Sequence, residues 1–115
     1  MKQNEIWLID LEPTVGAEIR KTRPGIIVND NTFGKLPLKV IVPLTDWKER
    51  FADADWMVKI EVDNYNHLIK TSAADCFQVR SLSQDRFKKR LGIITPAQLM
   101  LIQDALASVL CIQRN

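Results

Sequence analysis

The stretch EIWLIDLEPTVGAEIRKTRPGIIVND, residues 5–30, contains two strand candidates joined by a charged loop. Residues 5–10 are rich in strand-forming side chains, and the proline, threonine and glycine that soon follow mark a turn. Residues 26–28 form a β-branched run between Arg-Pro-Gly and a polar Asn-Asp-Asn segment, which is typical of a buried strand. The chain therefore begins with β structure.

Three further strand candidates lie in the middle of the chain. Residues 40–42 are β-branched and end at a proline, which again indicates a buried strand. Residues 56–62 alternate apolar and polar side chains with the period of a strand that has one wet face. Residues 73–79 are the fifth candidate, so the pattern predicts five strands before residue 80.

The C-terminal part changes to a helical period. Residues 95–98 (Thr-Pro-Ala-Gln) have the pattern of a capping box with proline at the first helical position, so a helix is expected to start there. Apolar residues then recur at three- and four-residue spacing to about residue 112: Leu99, Ile102, Leu106, Val109 and Leu110. Residues 83–90 are a shorter helix candidate capped by Ser83.

These elements predict a mainly β fold with a C-terminal α-helix, arranged as a small antiparallel barrel or half-barrel. The 115 residues, of which 46% are apolar and 26% charged, fit one globular domain spanning residues 1–115. A chain of this size buries only about two-thirds of its unfolded surface, so a stabilising contact between subunits is compatible with it.

The sequence lacks the marks of a membrane or exported protein. Its apolar runs are far shorter than the roughly 20 residues that cross a bilayer, and residues 1–7 do not resemble a signal peptide. Cys76 and Cys111 belong to no CxxC motif and have no histidine pair beside them, so we expect two reduced, half-buried thiols and no zinc site. A cytoplasmic location is expected.

The net charge of +2 conceals an uneven distribution along the chain. Residues 1–45 carry six basic and five acidic side chains, residues 46–63 carry three and six, and residues 64–115 carry seven and three. The basic clusters are Arg20, Lys21, Arg23 and then Arg80, Arg86, Lys88, Lys89, Arg90. Such clusters suit an anionic ligand or form a solvated face, and charge alone does not choose between the two.

The sequence contains few of the residues and motifs that catalysis commonly uses, which excludes most enzyme classes. There is one histidine, His67, so a pair of histidines cannot serve as acid and base within one chain. No GxSxG, HExxH, Walker A or GxGxxG motif occurs. His67 lies in the polar segment 63–67, where a plain loop histidine is the expected role.

Two segments remain as candidate sites. In the loop before the second strand, Arg23 precedes a proline and is therefore held extended, so that it could be aimed at a phosphate. The alternative is a surface ion pair between Arg23 and Glu18. In the second segment, Thr45 follows the third strand, and residue chemistry alone favours an ordinary helix cap for residues 47–52.

Four blocks of this chain resemble the MazF/PemK (Kid) toxin family. They are residues 5–18, 21–30, 40–45 and 76–82, and the resemblance as a whole extends over nearly the whole chain. The first block, a strand followed by D-L-x-P-T-x-G-x-E, is long and ordered enough to be specific. The resemblance implies a homodimeric toxin with an SH3-like barrel that cleaves single-stranded RNA without a metal or cofactor and is neutralised by a cognate antitoxin.

The resemblance also assigns roles to residues. Arg23 matches the family's catalytic arginine before proline, and Thr45 matches its catalytic threonine after the third strand. Glu18, Gln78 and Arg80 also match family positions, which would line the RNA groove. The full set expected to bind RNA adds the loop cations Arg20 and Lys21, together with Asp75 and Phe77. The expected nucleophile is the ribose 2′-hydroxyl, with Arg23 offsetting the charge that grows on the phosphate.

Two departures from the family pattern leave the general acid and base open. Ala17 stands where many relatives have a polar residue, and Phe77 stands where many have an acid before the glutamine. Asp75, two positions earlier in the expected strand, would point to the same face as Phe77 and is one candidate for the missing acid.

The expected antitoxin carries an acidic, disordered tail that mimics the charge of RNA and covers the groove. Two alternatives to a nuclease remain open: a non-catalytic, CcdB-like poison of DNA gyrase, and a degenerate toxin that only binds its partner. Arg23 together with Thr45 favours the nuclease, whereas Ala17 and Phe77 give some weight to the degenerate form.

Overall fold

The computed structural model describes residues 1–113, which form an antiparallel sheet followed by one long helix. The strands are β1 (Glu5–Asp10), β2 (Thr22–Ile27), β3 (Leu38–Asp46), β4 (Met57–Ile60), β5 (Ser72–Asp75), β6 (Arg80–Ser83) and β7 (Phe87–Ile93), and the helix is α1 (Pro96–Leu110). Short 3-10 turns lie at Asn31–Phe33, Glu49–Asp53, Cys76–Gln78 and Gln84–Arg86. The prediction of a mainly β fold with a C-terminal helix is confirmed.

Strand β3 joins the two halves of the sheet. Its residues 38–43 pair with β6 and β2, and its residues 44–46 pair with β5. The strand order is β4-β5-β3-β2-β1-β7, with β6 attached to β3 outside this path. Every one of these pairings is antiparallel.

Side chains alternate across the sheet, so its two faces bury two separate apolar clusters. The larger cluster faces α1 and takes Leu99, Ile102 and Ala105 from the helix. The smaller cluster lies on the other face and consists of Ile9, Leu11, Ile27, Ile41, Leu82 and Phe87. Beyond this smaller cluster, the same face carries charged and polar residues.

Helix α1 begins at the expected capping box. The Thr95 hydroxyl accepts a hydrogen bond from the Gln98 amide at 3.1 Å, and the Gln98 side chain accepts one from the Thr95 amide at 2.9 Å. The expected apolar stripe is buried at its start, whereas Leu110 is 57% exposed. The expectation of two half-buried thiols is wrong, because Cys76 lies in the helix-facing cluster whereas Cys111 follows the last helical turn in solvent.

The helix expected at residues 83–90 is absent. These residues form the end of β6, one 3-10 turn and the start of β7. Ser83 does act as a cap, since its hydroxyl accepts a hydrogen bond from the Asp85 amide at 3.2 Å, but the cap serves a single turn. Pairing of β7 with β1 and burial of Phe87 outweigh the local helical signal.

Three other boundaries differ from the sequence pattern. The fourth strand is shorter than the alternating run and ends at Ile60. The fifth strand ends at Asp75 and turns into the 3-10 segment Cys76–Gln78. The segment expected as a helix at residues 47–52 is the 3-10 turn Glu49–Asp53.

Asn66 fixes the loop between β4 and β5 and is fully buried. Its Oδ1 accepts hydrogen bonds from the amides of Asp63 at 3.3 Å and Leu68 at 3.1 Å, and its Nδ2 donates to the Glu61 carbonyl at 2.7 Å. Gly92 of β7 passes so close to this loop that a Cβ there would lie 2.5 Å from the Asn66 carbonyl oxygen. The loop is thereby packed tightly on β7.

Gly92→Ala should destabilise the protein, because the added methyl meets loop backbone that cannot rotate away. Overpacking of this kind costs about 1–3 kcal/mol in the free energy of unfolding, which urea denaturation measures. The matched control is Gly34→Ala in an exposed turn, where a Cβ would lie 3.1 Å from the Asn31 carbonyl oxygen. Equal stabilities of the two variants would contradict this packing.

Candidate active site

Arg23 and Thr45 occupy neighbouring strands on one face of the sheet. Gly25 of β2 pairs with Pro43 of β3, and continuing this antiparallel register by two residues places Arg23 opposite Thr45. Residues opposite each other share a face, and both side chains line one cleft of about 260 Å³. The two residues that the resemblance assigned to catalysis are therefore brought together.

The electrostatic environment of this cleft is set by an ion pair next to Thr45. The Lys70 ammonium lies 2.9 Å from a carboxylate oxygen of Asp46, and both residues line the cleft. The Lys70 hydrogen bond, together with the charges of Lys70, Lys48 and Arg23, holds the pKa of Asp46 below its usual value. The cleft therefore holds two cations, Arg23 and Lys70, around one carboxylate that stays ionised.

Both alternative roles considered for these residues are wrong. Thr45 lies inside β3, and the N-cap of the following 3-10 turn is Lys48. The Glu18 carboxylate accepts a hydrogen bond from the Val15 amide at 2.5 Å, and within residues 1–113 it forms no ion pair with Arg23. Arg23 is therefore held by its position in β2 and not by a carboxylate of its own loop.

A second cleft of about 290 Å³ lies on the same face and contains the other predicted site residues. It is lined by Leu11, Glu18, Ile19, Pro43, Phe77, Gln78, Val79 and Arg80. Pro43 is two residues from Thr45 on β3, so the two clefts are adjacent along the strand. Of the predicted RNA-binding set, Glu18, Phe77, Gln78 and Arg80 line this cleft, whereas Arg20 and Lys21 are exposed on the adjoining loop.

The loop between β1 and β2 is closed at its base by backbone and side-chain contacts. The Leu11 amide donates to the Lys21 carbonyl at 3.0 Å, and the Lys21 amide donates to a Glu12 carboxylate oxygen at 2.8 Å. Guanidinium groups add to this closure, with Arg80 donating to the Leu11 carbonyl at 3.3 Å and Arg86 donating to the carbonyls of Asp10 and Glu12. Arg80 thus borders the cleft while it supports the loop.

Asp75 and Phe77 point in different directions, contrary to the expectation of a shared face. The strand ends at Asp75, and the 3-10 turn that follows breaks the two-residue alternation. Phe77 is 66% exposed, and its ring meets Trp56 edge to face at 6.2 Å between centroids. Asp75 is 5% exposed and lies behind Gln78, whose Nε2 donates to Oδ2 of Asp75 at 3.0 Å.

Some residues in and beside the two clefts were not identified from the sequence. Lys70 and Trp56 belong to loops with no motif around them, and their positions depend on how the segments 46–56 and 61–71 fold back onto the sheet. An alternating strand pattern places Trp56 in the core, so the sequence carried no signal for its exposure. His67, expected to be a plain loop residue, binds the Leu91 carbonyl through Nδ1 at 2.8 Å and lines neither cleft.

Within residues 1–113, no three His, Cys, Asp or Glu side chains come together in a way that could hold a metal ion. In the same residues, no helix is long and apolar enough to cross a membrane.

Asp75 should contribute a decrease in the free energy of unfolding as the pH rises above about 4. Burial, outweighing hydrogen bonds from Phe77 and Gln78, raises its pKa above the ordinary value of 3.8. Between the unfolded and the raised folded pKa, the native state binds more protons than the unfolded state, so stability decreases as pH rises. Asp75→Asn should lack this decrease in urea denaturations across that range, whereas Asp85→Asn, which removes an exposed carboxylate, should keep it. Parallel pH profiles for Asp75→Asn and the wild type would contradict this assignment.

Comparisons with known proteins agree with this fold. The family model described as a PemK-like, MazF-like toxin of type II toxin-antitoxin system matches residues 2–110. "Endoribonuclease MazF" from Staphylococcus saprophyticus is 28% identical over 106 residues, covering 92% of this chain and 88% of the relative. The protein of the same name from Staphylococcus epidermidis is also 28% identical, over 107 residues, with the same coverage of both chains.

Solved structures show the same fold at lower sequence identity. The crystal structure of MazF (Form-I) from Deinococcus radiodurans has a TM-score of 0.80 at 18% identity and covers 96% of each chain. A structure titled "Endoribonuclease in complex with its cognate antitoxin from Mycobacterial species" has a TM-score of 0.78 at 21% identity, covering 100% of this chain and 99% of that chain. The match to the family model extends over nearly the whole sequence, and the chain therefore belongs to the PemK-like, MazF-like family of type II toxin–antitoxin toxins.

Proposed function

We propose that this toxin is a metal-independent, sequence-selective endoribonuclease that cuts single-stranded RNA, mRNA in the cell, through attack of the ribose 2′-hydroxyl. The observation that carries the proposal is the placement of Arg23 and Thr45 side by side in one cleft, with Lys70 at its edge. The curated relatives named endoribonucleases support the same reaction class.

The chemistry requires little beyond positioning and charge stabilisation. With the 2′-hydroxyl as nucleophile, the protein must hold the phosphate in line and offset the negative charge that grows on its oxygens. Arg23 supplies a permanent positive charge with several donors, and its place before Pro24 keeps the backbone extended. Thr45 supplies one hydroxyl donor on the neighbouring strand.

The second cleft suits the nucleotides that flank the cut. Phe77 lines this cleft with its ring exposed, and the ring contacts Trp56, which is also exposed. Stacking of a base on an aromatic ring contributes about 1–3 kcal/mol. Arg20, Lys21 and Arg80 supply positive charge for the RNA backbone. Cleavage should therefore require unpaired RNA, because only unstacked bases can reach these rings.

The partners proposed for this toxin are a second copy of the chain and an antitoxin. A symmetric dimer would place the basic clusters twice along one surface. An antitoxin with an acidic, disordered tail would cover them by matching their charge. The mycobacterial endoribonuclease solved in complex with its cognate antitoxin supports such a partner. The cytoplasm is the proposed location.

Incubation of the purified protein with a long RNA in EDTA tests the function directly. Fragments with 2′,3′-cyclic phosphate ends are expected, because attack by the 2′-hydroxyl leaves that product. Uncut RNA in both EDTA and magnesium would instead favour the non-catalytic alternatives, a CcdB-like gyrase poison or a degenerate toxin. Cleavage only with added magnesium would overturn metal independence.

Arg23→Ala should lower the rate of RNA cleavage by at least about a hundredfold, the effect of removing one donor to a developing oxyanion. The loss should appear in single-turnover rates while circular dichroism and thermal unfolding stay close to wild type. Arg90→Ala removes the same charge from the edge strand β7, where Arg90 pairs with Glu5, and serves as the control. Equal rates for the two variants would exclude Arg23 from the active site.

Thr45→Val should slow cleavage by about tenfold to a hundredfold, since it keeps the branched shape and removes the hydroxyl. Thr45→Ser keeps the hydroxyl and should recover most of the rate, which single-turnover cleavage would measure. A Val variant as fast as the Ser variant would show that the strand position matters and the hydroxyl does not.

A further inference from the structure

The tip of the loop between β1 and β2 is hydrogen-bonded to the rest of the described residues through one side chain, that of Gln78. Among residues 1–113, two hydrogen bonds join residues 13–20 to residues outside the loop, and Gln78 makes both. Its Oε1 accepts from the Ile19 amide at 2.6 Å, and its Nε2 donates to the Ala17 carbonyl at 3.4 Å. The other hydrogen bonds of residues 13–20 stay within the loop, between Val15 and Glu18 and between Thr14 and Glu12.

The side-chain amide of Gln78 is itself held in place by Asp75. Its Nε2 also donates to Oδ2 of Asp75 at 3.0 Å, while Oδ1 of Asp75 accepts from the Phe77 amide at 3.1 Å. Asp75 is 5% exposed, so this carboxylate faces the protein interior and not a bound ligand. Both donors and the acceptor of the Gln78 amide are therefore engaged with protein groups.

We propose that Gln78 is a positioning residue: oriented by Asp75, it holds the β1–β2 loop at the edge of the second cleft so that RNA meets an ordered loop. This inference rests on the proposed ribonuclease function. It gives Gln78 and Asp75 a role other than direct contact with RNA, because their polar atoms are already bound. Glu18, which lines the cleft, and the cations that follow it in the chain are the groups kept in place.

The loop has one further attachment, which is apolar. Ile19 packs against the smaller cluster of the sheet. Without the Gln78 contacts, the backbone around Ile19 would still be drawn toward the sheet but would not be held in one conformation. RNA would then have to order the loop on binding, which weakens affinity and leaves the chemical step at Arg23 and Thr45 largely intact.

Exchange of the donor and the acceptor tests this arrangement. Gln78→Glu places a carboxylate against Asp75 and removes the donor, so the pair repels and the loop is released. The double variant Asp75→Asn with Gln78→Glu reverses the hydrogen bond between the two side chains: the introduced amide donates, and the introduced carboxylate still accepts from the Ile19 amide. Like the single variant, it cannot donate to the Ala17 carbonyl. Its net charge equals that of the wild type, so long-range attraction of RNA is unchanged. Gln84→Glu, an exposed position, controls for the added negative charge of the single variant.

Two measurements on each folded variant separate the loop contact from its function. The first is hydrogen exchange at the Ile19 amide in the free protein, and the second is binding of mixed-sequence 2′-fluoro RNA, which lacks the nucleophile. Gln78→Glu should lose about tenfold in Ile19 protection and about tenfold in RNA affinity relative to Gln84→Glu. The double variant should recover most of both losses, short of wild type by the 3.4 Å hydrogen bond to the Ala17 carbonyl that a carboxylate cannot make. Single-turnover rates at saturating RNA should vary by less than about threefold throughout.

Three results would overturn the proposal. Unchanged Ile19 protection in Gln78→Glu would show that this residue does not hold the loop. Lost protection with RNA affinity equal to that of Gln84→Glu would show that loop order does not serve binding. A double variant no better than Gln78→Glu on both measurements, although it unfolds at the wild-type temperature, would exclude the orienting hydrogen bond from Asp75. If wild type binds no RNA while the protection pattern holds, the proposed function fails and the loop contact stands.

Discussion

The pairing of β3 with three other strands is the constraint on which the rest of this structure depends. Its first residues pair with β6 and β2, and its last residues pair with β5. The register of this one strand therefore fixes how the two halves of the sheet align. A shift of one residue would move Thr45 to the helix-facing side and Leu44 into solvent. Burial of Val42 and Leu44 against the helix therefore fixes the face on which Thr45 lies.

The face of the sheet that carries Thr45, opposite the helix, has two roles along its length. Where β1, β2, β3 and β6 overlap, it buries a small apolar cluster. Past that cluster, the strands carry Arg23, Thr45 and Arg80, which border two adjacent clefts. Placing these groups on strands next to a packed cluster limits their movement, which suits a reaction in which position and charge are the main contributions of the protein.

The two sides of the proposed RNA site are held in different ways. Arg23 and Thr45 are fixed by strand pairing, which is extensive and cooperative. The loop that carries Glu18, Arg20 and Lys21 is fixed by its base, by the apolar side chain of Ile19 and by one amide, Gln78. Such a loop opens at a lower free-energy cost than the strands, so it is the part of the site that a partner or substrate can reshape.

The sequence by itself determined the fold class and the C-terminal helix with its capping box, and its resemblance to a known family named Arg23 and Thr45 as candidates. These features depend on local spacing or on long ordered motifs. Only the tertiary structure decided that residues 83–90 are strand and turn, because pairing with β1 outweighs a local helix signal. It also decided that Asp75 faces the interior and that Gln78 faces the loop. A 3-10 turn after Asp75 breaks the alternation of the strand. The loop residues that Gln78 contacts, Ala17 and Ile19, are about 60 residues away in sequence, so no local pattern encodes this contact.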